Sequence, residues 1–410
     1  MIAYHFPPLR GSSGIQRTLR FCRYLPECGW RPLVLTAHPR AYEATSSDLL
    51  SEVPSSVPVC RAFAMNTASH LAVGGRYPKW LAIPDRWVTW WLGGLISGLR
   101  LIRKHKVRAI FSTYPIATAH LIGLTLQRIT GLPWIADFRD PMAQEGYPED
   151  PAVWQSFRWI EEQALRHARY SLFTSPGAIR EYRTRYPELH EDRLVLLENG
   201  YDEEAFSGMP NDGNASRQSP HDRRLVILHS GIVYTSERDP THLFAALGEL
   251  KRAGKVNASD VEIRFRASAN DALMHRLANE NEVTDIVSIL PPIPYREALT
   301  EMLGADALLV MQASNCNSQI PAKVYEYVRA GRPIFALTDP AGDTADLVRR
   351  AGIDAIVPLD SASAIEAHLP LWLDALRLGS GMRPSVEFAR NCSRRERTRA
   401  LAEVLNRTIA

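Results

Sequence analysis

The stretch from Asn317 to Pro333 reads Asn-Ser-Gln-Ile-Pro-Ala-Lys-Val-Tyr-Glu-Tyr-Val-Arg-Ala-Gly-Arg-Pro, and its residue types suit the capture of a phosphate-bearing ligand. Pro321 fits a first helical turn, Gly331 a left-handed stop, and Pro333 forbids continuation. These marks predict a helix of about nine to ten residues with its amino end near Ile320 to Lys323. Amide groups at such an end lack carbonyl partners and attract an anion. Ser318, Gln319 and Ile320 lead into that end, Lys323 adds a positive charge, and Glu326 one turn on can accept hydrogen bonds from two ribose hydroxyls. Taken singly, Lys323 and Glu326 read equally well as solvated helix residues.

Three further clusters could do chemistry. Trp134-Ile135-Ala136-Asp137-Phe138-Arg139-Asp140-Pro141 is an apolar strand ending in two carboxylates and a guanidinium. Asp137 and Asp140 could orient hydroxyls or accept a proton, with Arg139 pairing a carboxylate or a phosphate; the alternative is an Arg–Asp pair that merely closes a loop. Phe6-Pro7-Pro8-Leu9-Arg10-Gly11-Ser12-Ser13-Gly14 is a proline-fixed turn whose Gly11 and Gly14 permit a close backbone approach at a helix start, or simply a tight turn. Gly231 to Pro240 follows an apolar run and carries Arg238.

The elements that must position these residues follow from the hydrophobic pattern. Short runs rich in Val, Ile and Leu alternate with helical periodicity, the pattern of a parallel sheet covered on both faces. Strands are predicted at residues 2–4, 33–36, 109–112, 134–137, 171–174 and 194–197, and again at 225–229, 261–267, 286–290, 307–311, 334–337 and 355–357. Ser207 to Arg224 is almost devoid of apolar residues and reads as a connection. The expected organisation is an N-terminal Rossmann-like domain over 1–206, a linker over 207–224, a second over 225–385, and a C-terminal helix over 386–410 that would pack through Leu401, Val404 and Leu405 and could return to the first domain. The first strand is so short that a start upstream of Met1 is also an expectation.

Composition narrows the classes. A net charge of +3 over 410 residues is unlike a nucleic-acid binder. The five cysteines (Cys22, Cys28, Cys60, Cys316, Cys392) are scattered without metal spacing, which predicts a reducing, cytoplasmic setting and no metal site. No segment is apolar over the roughly 18 to 20 residues that a spanning helix needs. Asp85 to Lys106 reads as a helix with Val88, Trp91, Leu92, Leu95, Leu99 and Ile102 toward the core. Trp87 and Trp90 fall off that stripe and, with Arg100, Arg103, Lys104 and Lys106, predict either a peripheral contact with the inner face of a membrane or a buried helix with a solvated basic end.

Together these motifs resemble those of family-4-type retaining glycosyltransferases. The Ile320-Pro-Ala-Lys-Val-Tyr-Glu-Tyr segment with Gly331 and Pro333 resembles their donor motif, while the Phe6-Pro-Pro glycine loop and the Asp137 corner resemble their N-terminal domain. Asn199-Gly200-Tyr201-Asp202 with Phe206 is similar to their interdomain segment. The resemblance implies a GT-B fold: α/β, with two facing doubly wound Rossmann-like domains and a C-terminal helix. It implies sugar transfer from a UDP- or GDP-type donor to a glycan or lipid-linked glycan, with retention and without a metal or other cofactor. Donor contacts would come from Gly11, Gly14, Gly231, Arg238, Ser318, Gln319, Ile320, Lys323 and Glu326; Asp137, Arg139 and Asp140 would serve the acceptor. Ser318 stands where the family has its first glutamate, and Ile232 where it often has arginine. Two rivals remain: a nucleotide-sugar epimerase on the same architecture using His5, His120 or His229, and a non-catalytic glycan-binding relative.

Overall fold

The computed structural model describes residues 1–11, 14–209 and 223–409. Two compact units emerge: Met1–Asn199 joined by Arg394–Ala410, and Gly200–Ser393. The break falls at Asn199/Gly200 rather than after 206, because Tyr201 and Phe206 belong to the second unit's core with Leu228, Val324 and Tyr325. Most of the expected linker lies outside the described residues.

In the first unit, strands β1 (Val34–Ala37) and β2 (Val59–Ala62) pair in parallel, as do β3 (Ile110–Thr113), β4 (Trp134–Arg139), β5 (Tyr170–Phe173) and β6 (Leu194–Leu196). The predicted strand at Ile2 to Tyr4 is reduced to a bridge, with Ile2 set in parallel between Leu35 and Ser112, and it joins the two sets. The parallel order is therefore β2, β1, Ile2, β3, β4, β5, β6. Sequence reading missed β2 because it is a short edge strand whose Val59, Cys60 and Arg61 are only partly buried, so it lacks the apolar run of a central strand. An apolar cavity of about 380 Å³ lies among Met1, Ile2, Leu33, Ala109, Leu401 and Leu405. It opens at the amino ends of the strands and takes no part in the site described below. The helix Arg394–Ile409 buries Leu401, Val404 and Leu405 against Phe21, Phe111, Ile135 and Leu172.

The helix expected from Asp85 runs only over Trp90–His105, and its buried residues are Trp90, Gly93, Gly94 and Gly98. A Cβ at Gly93 would sit 2.2 Å from the Phe63 carbonyl oxygen, and one at Gly94 2.6 Å from Ile122 Cδ1. The helix thus packs backbone-close through its glycines, which turns Leu92 outward (54% exposed). Trp90 is wholly buried, and Trp87 packs on Tyr4 while its Nε1 donates to the Ala41 carbonyl (3.1 Å). Trp90 therefore offers no face to lipid, whereas Trp87 is half-buried. Among the described residues no helix is long and apolar enough to cross a membrane.

The second unit holds β7 (Leu225–Ser230), β8 (Val261–Arg266), β9 (Val287–Leu290), β10 (Ala307–Gln312), β11 (Ile334–Thr338) and β12 (Ile356–Val357). All neighbours are parallel, in the order β12, β11, β10, β7, β8, β9. This is the doubly wound order, with β8 and β9 laid to one side of β7 and β10 to β12 to the other. The chain reverses direction of travel between β7 and β10, and ligands bind outside the carboxyl ends of strands at such a switch point.

Candidate functional site

The second unit places the donor-motif residues at its switch point. The loop after β7 contains Gly231 and Arg238; the loop after β10 carries Ser318, Gln319 and Ile320 into the helix Lys323–Ala330. That helix is shorter than predicted, starting at Lys323, and ends on Gly331 in the left-handed region (φ +66°) as Gly331-Arg-Pro foretold. Asn315 Nδ2 donates to Ser236 O (2.8 Å) and the Ala313 amide to Glu237 O (2.7 Å), so the two loops are tied together. Behind them, Asn317 Nδ2 donates to Asp339 (2.5 Å) and Thr344 Oγ1 to Gln319 O (3.1 Å), which anchors the entry to the helix on the residues after β11. Ile320 is buried in the core beside Val324 and Leu228. Its side chain packs rather than binds, and only its backbone can serve a ligand.

Lys323 and Arg238 are brought together here. Burial foremost, and then the Arg238 charge, lower the Lys323 pKa to about 7, with Glu326 pulling the other way. Arg238 donates from Nη1 to Ile232 O (3.3 Å), while its buried Nε has no hydrogen-bond partner. Two cations, one with an unspent donor, beside the open first turn of a helix form a seat for an anion of more than one charge. Glu326 lies one turn along and accepts from the Tyr295 hydroxyl (2.7 Å), a contact that sequence reading missed because Tyr295 begins a different helix. Gly231 is required twice over. Its φ is +121°, and a Cβ there would stand 2.8 Å from Lys323 Nζ. Gly231→Ala should therefore displace the ammonium and weaken anion binding about tenfold, while backbone strain of about 1–3 kcal/mol lowers the melting temperature; calorimetry with a nucleoside diphosphate checks both.

The first unit gives its charged corner a different division of labour. Asp137 is wholly buried, and Arg17 grips it bidentately (Nε to Oδ2 3.0 Å, Nη2 to Oδ1 2.9 Å) while Thr113 Oγ1 donates to Oδ2 (2.8 Å). Arg17 also donates to Leu197 O (3.0 Å) and Glu198 O (3.3 Å). Asp137 is thus spent on fastening the helix Gly14–Tyr24 and the segment after β6 to β4, and it is not a group that meets an acceptor. The register of β4 on β5 shifts between Asp137 and Arg139, and Arg139 takes φ +60°, uncommon outside glycine. Thr174 holds this bulge by donating from Oγ1 to Arg139 O (2.8 Å). The bulge turns Arg139 away from Asp137: its Nη1 donates to Tyr114 O (3.3 Å) and its buried Nε is unpartnered. Asp140 is exposed. The loop beyond it hangs on Glu161, a buried carboxylate that sequence reading missed, which accepts from the Ala143 amide (3.1 Å), Tyr182 (2.6 Å), Tyr186 (2.7 Å) and Arg185 (3.0 Å). Gly11 (φ +83°) and Gly14, the first helical residue, belong to this unit, and Ser12 and Ser13 between them lie outside the described residues.

The histidines divide similarly. His120 is buried in the first unit's core, bonded to Ser112 (2.7 Å) and packed on Phe138, and burial lowers its pKa to about 4. His229 is wholly buried, with Nδ1 2.9 Å from Leu309 O. Neither can exchange protons with a sugar ring. His5 is half-buried, its pKa lowered to about 4 by burial and by the Arg139 charge.

Comparison with known proteins agrees with this layout. Residues 13–200 match the family model described as the glycosyl transferase 4-like domain. No curated protein matches the chain. Among solved structures, Anabaena Alr3699/HepE in complex with UDP and glucose is similar over 99% of this chain and 98% of its own (TM-score 0.67, 13% identity). Sucrose-phosphate synthase from Thermosynechococcus elongatus is similar over 99% and 96% (TM-score 0.63, 15% identity), and a glycosyltransferase from Rickettsia africae over 100% and 97% (TM-score 0.64, 12% identity). At such identities the structural likeness speaks for the fold, GT-B, and the family match speaks for residues 13–200. The chain has the GT-B fold and carries, over residues 13–200, a glycosyl transferase 4-like domain.

Proposed function

We propose that the second unit binds a UDP- or GDP-sugar through its diphosphate and ribose, and that the sugar passes with retention to a hydroxyl of a glycan or lipid-linked glycan. The observation that carries this reading is the pairing of Lys323 with Arg238 at the first turn of the helix Lys323–Ala330, with Glu326 one turn away. As the bond between the anomeric carbon and the phosphate oxygen loosens, negative charge grows on the departing diphosphate. Lys323, Arg238 and the helix amides would stabilise that charge, so no divalent ion is required of the donor site. Glu326 would hold the ribose once Tyr295 yields its hydrogen bond. The Anabaena neighbour has been solved with UDP-glucose, which favours a uridine donor over a guanosine one.

On the acceptor side, Asp140, Arg139 and His5 replace Asp137 as the groups that would meet a hydroxyl. The cytoplasm, with acceptors at the inner face of a membrane, is the setting we propose for this chemistry.

Calorimetry with UDP, GDP and their common sugars, with and without EDTA, tests the donor reading. One preferred nucleotide, bound equally with EDTA and at least about tenfold more weakly by Glu326→Ala, is expected from the loss of hydrogen bonds to a charged acceptor. Binding of neither nucleotide, or a need for a divalent ion, would overturn it.

A further inference from the structure

The donor site leaves one buried polar group without a stated part. His229 is the penultimate residue of β7, wholly buried, with its ring packed on Phe265 (centroids 5.8 Å apart). A carbonyl oxygen can only accept, so the 2.9 Å contact from Nδ1 to Leu309 O places the imidazole proton on Nδ1. Nε2 then carries a lone pair, and Lys323 Nζ lies 3.2 Å from it. We propose that His229 is a positioning residue for sugar transfer: its Nε2 accepts from the Lys323 ammonium and holds that charge where the donor diphosphate must sit. The proposal rests on the donor-site reading above.

Three features of the geometry support it. First, the registered pairing of β7 with β10 reaches Leu228 opposite Leu308 and goes no further. Beyond it, the Leu309 carbonyl is met by the His229 ring, and the Ser230 amide donates to the Tyr327 hydroxyl (2.8 Å). Second, Lys323 and Tyr327 are one helical turn apart and share a face, so the helix rests on successive residues of β7 through two side chains. Third, the partner is a neutral acceptor. A carboxylate in its place would fix the ammonium equally well but would neutralise it and compete with the incoming diphosphate. An imidazole orients the charge and leaves it whole.

The groups facing Lys323 are His229 from β7, Arg238 from the following loop, and Glu326 on its own helix. Burial, followed by the charges of Lys323 and Arg238, holds His229 well below the usual histidine range, so it stays neutral wherever Lys323 titrates. A neutral acceptor favours the charged form of the lysine. Removing it should make Lys323 easier to deprotonate, and donor binding should then fail at a lower pH.

The test uses the full chain and the nucleoside diphosphate preferred in calorimetry. His229→Phe fills the ring's volume without an acceptor, and His229→Gln restores an acceptor near the position of Nε2. Dissociation constants are measured from pH 6 to 9 for both variants, for Lys323→Met, and for the double variant His229→Phe with Lys323→Met. We expect His229→Phe to bind about tenfold more weakly, with the fall-off moved to lower pH, His229→Gln to recover most of the affinity, and the phenylalanine to add nothing once Lys323 is gone. A melting temperature recorded for each variant separates this from loss of fold. Should His229→Phe unfold, the glutamine variant carries the test: near-wild-type affinity and pH midpoint support the proposal, and a tenfold loss with an unmoved midpoint sinks it. If Lys323→Met loses binding while His229→Phe keeps the wild-type affinity and midpoint, this proposal alone fails. If the wild type binds no nucleotide, the donor-site reading fails and takes the proposal with it.

Discussion

Lys323→Ala should lower kcat for sugar transfer by about 10²–10³, the usual cost of removing one preorganised donor from a developing anion. The lysine sits beside Arg238 at the end of β7, where burial and that neighbour lower its pKa to about 7. An ammonium held so close to neutrality is unstable without an anion and gains most when one arrives. Linkage gives the sign: the charged form binds diphosphate, so binding raises the lysine's pKa and takes up a proton above pH 7, and donor affinity falls as pH rises through about 7. Steady-state kinetics at pH 6.5 and 8.5, with proton uptake followed in buffers of different ionisation enthalpy, checks both parts. Glu326→Ala should act differently, raising KM for the donor more than it lowers kcat, because the ribose is bound alike in ground and transition states.

Asp137→Ala should destabilise the first unit by about 3–5 kcal/mol, the cost of leaving a buried charge without its partner. Arg17, only 7% exposed, would keep its carbonyl partners at residues 197 and 198 but lose both charged contacts. Urea unfolding monitored by tryptophan fluorescence measures this directly. An unchanged midpoint with lost activity would instead restore Asp137 to the chemistry. Asp137→Asn should cost less, since one of its amide-group atoms still accepts from Arg17.

These two residues illustrate how unevenly the site could be read from sequence. The donor segment was legible because everything that defines it is local: a proline at the first turn, a glycine and a proline at the end, and a lysine and a glutamate within one turn of each other. Asp137 was placed correctly at a strand's carboxyl end, yet its role was misassigned, because the partner that consumes it, Arg17, lies 120 residues away. Glu161 was missed for the same reason: its four donors come from the loop after β4 and from a separate helix, and nothing in a single glutamate on a helix announces them. The expectation for Trp90 failed on packing. A hydrophobic stripe predicts which face is apolar, but Gly93, Gly94 and Gly98 let this helix approach its neighbours backbone-close, and that rotates the buried face toward Trp90.

What the sequence by itself determined is the alternation of apolar runs and helices, hence the doubly wound sheets, together with the helix whose first turn is proposed to meet the donor. Both depend on interactions within a few residues or on a period repeated along an element. What only the tertiary structure decided is which polar groups are spent on the fold and which remain for a ligand. Asp137, His120 and Glu161 are consumed by partners distant in the chain, whereas Arg238 Nε and Arg139 Nε are left with none. A buried side chain's availability is the remainder after every neighbour has taken its hydrogen bonds, and that remainder exists only once strands and helices far apart in sequence have been packed together.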